Sequence, residues 1–166
     1  MNNTKPWHKL CNFYYWSWFE KVWLTPVWLM LGSYRLLVIV LPFQKLARGL
    51  GTSMGKSHWI ALVGKHDEAR AKSIAKIIGS ASRLTPWNSS CLTQAMVART
   101  LLGYYRIPYS LFFGVAQSSE DHLLKAHAWV AVGRVYVTGG NGFDQFTVLS
   151  GFSATYLTAQ NLLSNP

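Results

Sequence analysis

The chain is poor in acids and in cysteine. Its 166 residues hold six Asp and Glu against sixteen Lys and Arg, and only two Cys. Two thiols cannot make a disulfide framework, and Cys11 and Cys91 lack zinc-ligand spacing. The carboxylates Glu20, Asp67, Glu68, Glu120, Asp121 and Asp144 are the whole acidic repertoire. A paired-carboxylate glycosidase or a carboxylate-rich metal site is hard to build from them. There is no G-x-x-x-x-G-K-[ST] phosphate loop, no internal repeat and no low-complexity tract. No small-residue cleavage pattern follows a short apolar core, so the start does not read as a signal peptide. The expectation is a reduced cytoplasmic protein with one thiol of interest.

What is abundant is apolar and basic. Half of the residues are hydrophobic and 14% are aromatic, enough for one domain with a real core. The net charge of +10 favours an acidic partner: nucleic acid, anionic lipid or acidic peptide. Eight basic residues lie between Lys45 and Arg83, with only Asp67 and Glu68 among them. No RNA-binding or zinc-finger signature accompanies them, so nucleic acid is not the expected partner. A solvated face is the ordinary reading of such a run.

Five of the eight tryptophans fall in the first 43 residues. From Val22 to Phe43 the only charge is Arg35, a length approaching a membrane span. Pro26, Gly32 and the mid-stretch Arg35 argue against spanning. The pattern predicts a helix from about Val27 to Leu41, stopped by Pro42. Being apolar nearly all round, it is expected to be buried in the core, with a peripheral membrane contact as the alternative. Residues 44–59 read as a basic turn and a Gly/Ser loop. A second helix is predicted from Asp67 to Ile78, ended by Gly79 and Ser80.

A third helix is predicted after Ser89 or Ser90 as N-cap, with Gly103 as its stop. Beyond it the period changes from helical to alternating. Ile107–Gln117 reads as a strand, and His127–Gly140 as two strands joined at Gly133-Arg134. A short strand follows near Phe146–Leu149. The fold class is therefore α+β: N-terminal helices, then a cysteine-bearing helix on a small antiparallel sheet. The division expected is an aromatic, basic helical region over 1–80 and a core over 81–166, packed together as one compact unit.

The stretch TPWNSSCLTQAM puts Cys91 where the third helix begins. A thiol attacks carbonyls as thiolate, and the free N–H groups of a helix start favour that anion. The same N–H groups can donate to an oxyanion. A free cysteine is more often a small buried hydrophobe, so a partner base decides the matter. His8, His58, His66 and His122 sit in tail, loop or charged contexts. His127 begins an apolar strand, sharing a face with Trp129 and Ala131. A strand histidine is commonly a satisfied core residue; behind a helix-start cysteine it becomes the candidate base.

The ordered set W-x-x-x-C-L (Trp87 to Leu92), G-V (Gly114, Val115), H-A-W-V (His127 to Val130) and T-G-G…V-L (Thr138 to Leu149) resembles a known family. It is similar to the leader peptidases of lasso-peptide biosynthesis, in the transglutaminase-like, papain-related superfamily. The likeness covers roughly residues 80–155, and Leu41–Phe43 resembles the family's start. The resemblance implies Cys91 as nucleophile and His127 as general base. It implies a third residue, usually Asp, that orients the imidazole. The hairpin at Gly133-Arg134 sets Gly139–Asn141 beside His127, and none of these is acidic. Asp144 is preferred for the role and Asn141 is the alternative, because papain-like sites accept an amide. Both also fit as plain turn residues. Trp87 is a candidate site wall and Asn88 a candidate oxyanion donor; the ordinary alternatives are a packed aromatic and a turn residue.

By the same resemblance the substrate is the leader segment of a precursor peptide. A separate leader-recognition protein and a macrolactam cyclase are the expected partners, and no metal or cofactor is expected. Two other readings use the same residues: an acyltransferase, and a nonenzymatic peptide-docking module at the membrane.

Overall fold

The computed structural model describes residues 17–42, 52–55, 63–117 and 124–154. Cys11, His8, His58, His122, Glu120 and Asp121 lie outside the described residues, as does most of the loop expected over 44–59.

Helix α1 spans Trp18–Val40. It starts nine residues before the predicted Val27 because Ser17 and Glu20 form a capping box. The Glu20 N–H donates to Ser17 Oγ at 3.4 Å, and the Ser17 N–H to Glu20 Oε2 at 3.2 Å. Pro26 sits inside the helix. It lies with Val22 on the exposed side, where water can serve the carbonyl that a proline leaves without a donor. The end is as expected, at Leu41 before Pro42.

The expectation of a buried α1 holds on one side only. Val27 and Leu31 are fully buried, whereas Trp18 is 81% exposed and Leu36, Ile39 and Val40 are also exposed. The helix is long and apolar enough to cross a membrane by length and composition. Its inner side is nevertheless tied to the rest of the protein. Tyr34 Oη lies 2.7 Å from Thr100 Oγ1, and Arg35 Nη1 donates to the Asn88 carbonyl at 2.7 Å. The buried Glu20 meets Lys76 Nζ at 2.6 Å.

Helix α2 spans Lys65–Leu84 and runs through Gly79 and Ser80, where it was predicted to stop. Ala71, Ile74, Ile77, Ile78 and Ala81 are buried at helical spacing, so packing continues past the glycine. The stop comes from Pro86, which disfavours helical backbone at Thr85; Thr85 is extended at φ −74°, ψ 137°. Helix α3 spans Cys91–Tyr104 with Ser90 as N-cap. It too passes its predicted glycine stop. The left-handed turn is made by Arg106 at φ 54°, letting Ile107 N–H reach the Leu102 carbonyl at 2.9 Å.

The described residues form five strands, four of them in the stretches of alternating pattern. They are β1 (Thr52–Gly55), β2 (Tyr109–Gln117), β3 (Leu124–Val132), β4 (Val135–Thr138) and β5 (Thr147–Ala154). They form one antiparallel sheet in the order β1-β5-β2-β3-β4. β1 lies in the stretch read as a loop; it pairs with β5 at the sheet's edge, where a short Gly-bounded strand suffices. β5 is longer than the predicted Phe146–Leu149 because it pairs along most of β2.

Alternation divides the sheet's side chains between two clusters. Leu111, Ala128, Val130 and Val132 pack with residues of all three helices in one large core. That core draws on both sides of residue 80. Phe112, Trp129, Ala131 and Val148 form a smaller cluster on the other face, closed by Phe143 and Phe146.

Candidate active site

Cys91 is the first residue of α3 and is half-buried against the large core. Ser90 fixes it there. The Ser90 Oγ accepts from the Thr93 N–H at 3.3 Å, and the Ser90 carbonyl accepts from the Gln94 N–H at 3.0 Å. The N–H groups of Cys91 and Leu92 have no hydrogen-bond partner among the described residues. Free N–H groups of this kind are what a helix start can offer to an anion.

His127 lies on β3 opposite Gly114 of β2. Its ring stacks on Trp129 at 5.9 Å and on Phe146 at 4.8 Å, so it belongs to the small aromatic cluster. His127 Nε2 lies 2.9 Å from the Gly139 carbonyl oxygen.

The thiol and the imidazole line one cavity of about 290 Å³. Its other walls are Leu92, Phe113, Gly114, Val115, Ala126, Ala128 and Leu149, none of them charged. No hydrogen bond joins Cys91 to His127 in this structure. His127 also borders a second, more polar cavity of about 480 Å³, shared with Gln94, Thr138, Gly139, Gly140 and Asn141. His127 thus borders both an apolar hollow shared with the thiol and a more polar one.

The remaining candidates fall elsewhere or at the margin. Asp144 is exposed on the single 3-10 turn Phe143–Gln145 and lines neither cavity. Asn141 is exposed but borders the polar cavity beside His127. Trp87 packs on α1, 5.4 Å from Trp28 and close over Gly32, so it is a packed aromatic and not a wall of either cavity. Asn88 is exposed and uses its carbonyl to accept from Arg35. Gln94 was missed: it stands one turn after Cys91 on the same side of α3, a spacing visible in the sequence. It donates from Nε2 to the Ser89 carbonyl at 3.0 Å. Among the described residues no cluster of three His, Cys, Asp or Glu could hold a metal.

A model of the transglutaminase-like superfamily matches residues 37–151. The chain belongs to the transglutaminase-like superfamily. No curated protein and no solved structure matches it significantly. The superfamily's cysteine-protease-like chemistry suits a helix-start thiol beside a strand histidine, and the match runs through both Cys91 and His127. Membership is consistent with a cysteine peptidase or an acyltransferase.

Proposed function

We propose that this transglutaminase-like protein is a cysteine peptidase that removes the leader from a ribosomally synthesised lasso-peptide precursor. The observation carrying the chemistry is that Cys91, at the start of α3, and His127 line one cavity. The thiol proton passes to the imidazole, and the sulfur attacks the carbonyl at the leader–core junction. The Cys91 and Leu92 N–H groups steady the oxyanion. The imidazolium returns its proton to the leaving amine, freeing the core's N-terminus. Water then resolves the acyl-enzyme and releases the leader. The uncharged cavity beside the thiol suits an apolar side chain next to the scissile bond.

The leader-specific part of this reading rests on the sequence motifs around Trp87–Leu92, His127–Val130 and Thr138–Leu149. A separate leader-recognition protein would present the precursor, and a cyclase would take the freed amine. An acyltransferase uses the same thiol and base, with an amine in place of water.

Incubating the protein and its leader-binding partner with precursor, followed by mass spectrometry, tests the reading. Free leader plus shortened core is the expected result, and Cys91→Ala abolishes it. A crosslinked product in place of free leader selects the acyltransferase. Undiminished processing by Cys91→Ala rejects a catalytic thiol altogether.

A further inference from the structure

We infer that the main-chain carbonyl of Gly139, not a carboxylate, is the group that orients His127; the inference deepens the proposed peptidase reading and rests on it. A carbonyl oxygen can only accept a hydrogen bond. The 2.9 Å contact between it and His127 Nε2 therefore places the ring hydrogen on Nε2. In the neutral imidazole Nδ1 is then left with its lone pair, able to take the thiol proton. After that transfer both ring nitrogens carry hydrogen, and the Nε2–H still donates to Gly139. When Nδ1 protonates the leaving amine, the ring returns to its starting tautomer.

Gly139 is built for this approach. Its φ is +67°, and a Cβ there would collide with the Ala128 carbonyl and come 2.9 Å from Trp129 Cβ. Only glycine lets the chain leave β4 and press its carbonyl against His127 in the middle of β3. The ring itself packs against both Trp129, at 5.9 Å, and Phe146, at 4.8 Å, and these contacts restrict its rotation.

The described carboxylates are committed elsewhere. Glu20 binds Lys76, Asp67 faces His66, and Glu68 accepts from the Arg134 N–H at 3.2 Å. Asp144 stands exposed, away from both cavities. A carbonyl dipole supplies the tautomer and the orientation without a full negative charge.

The test reads the tautomer directly. Full-length protein labelled with ¹⁵N at histidine is examined by long-range ¹H–¹⁵N correlation at alkaline pH, with His127→Gln identifying the signal. The expected pattern is a protonated Nε2 and a bare Nδ1. Asp144→Asn, Asn141→Ala, Glu120→Gln and Asp121→Asn are expected to preserve that pattern and the processing rate. A protonated Nδ1 overturns the inference. So does a loss of roughly a hundredfold or more in any one of those four variants that remains folded, since removing a triad orienter can cost up to about 10⁴-fold. The spectrum is read without turnover, so it stands apart from the Cys91→Ala test of the peptidase reading.

Discussion

The two faces of the sheet are built on different scales, and the candidate catalytic pair takes one member from each. The helix-covered face belongs to a core that runs from Val27 and Leu31 in α1 through Ile74, Ile77 and Ile78 in α2 to Leu101 and Leu102 in α3. The opposite face has four buried residues and two partly buried phenylalanines. Cys91 packs with the first, and the His127 ring with the second. The large cluster therefore carries stability, while the small one chiefly sets where an imidazole sits. That division can be broken or sharpened by mutation.

The largest expected loss of stability is in the large core. Leu102 is fully buried, and Leu102→Ala should cost about 2–5 kcal/mol through lost transfer energy and a residual cavity. Chemical denaturation measures it. Below the melting range, the processing rate per folded molecule should stay near wild type, because Leu102 sits at the far end of α3 from Cys91 and lines neither cavity. A rate loss out of proportion to the unfolded fraction would show that the two faces are energetically coupled.

Phe146→Leu should show the opposite balance. Phe146 is only partly buried, and losing its aromatic contact should cost about 0.5–1.5 kcal/mol. It is nevertheless one of the two rings that hold His127, at 4.8 Å. Processing should fall about tenfold, the scale of a modest misplacement of a catalytic group. Steady-state kinetics beside a denaturation curve separates the two effects. A variant with normal kinetics and a large stability loss would remove the case for a cluster devoted to the imidazole.

The same contrast explains what could be read from the sequence. Local signals were legible: the N-cap before Cys91, the turn at Gly133-Arg134, and the alternation that puts His127 with Trp129. The glycine stops misled. Gly79 and Gly103 remain helical because burial of Ala81 and Leu102 outweighs the modest helix penalty of glycine. The start of α1 lies upstream of the expected Val27 because the Ser17–Glu20 capping box begins the helix ahead of Pro26. The surroundings of His127 were the least legible. A search for acidic side chains passes over Gly139, whose contact comes from the main chain and from a positive φ that residue type only permits.

The smallest effect is expected at Ser90, where local helix chemistry meets the site. Ser90→Ala removes the side-chain acceptor for Thr93 N–H and should cost about 1 kcal/mol. It leaves the aromatic cluster and both walls of the apolar cavity in place. It also loosens the turn that aims the Cys91 and Leu92 N–H groups. A Ser90→Asp variant restores an acceptor to the same N–H and should recover the stability. It would also set a negative charge next to the sulfur and disfavour a second anion there. Alkylation of Cys91 by iodoacetamide should therefore be slower in Ser90→Asp than in Ser90→Ala, although the aspartate variant is the more stable. Equal rates would mean that the thiolate does not depend on the charge at the start of α3, and the advantage attributed to that position would be lost.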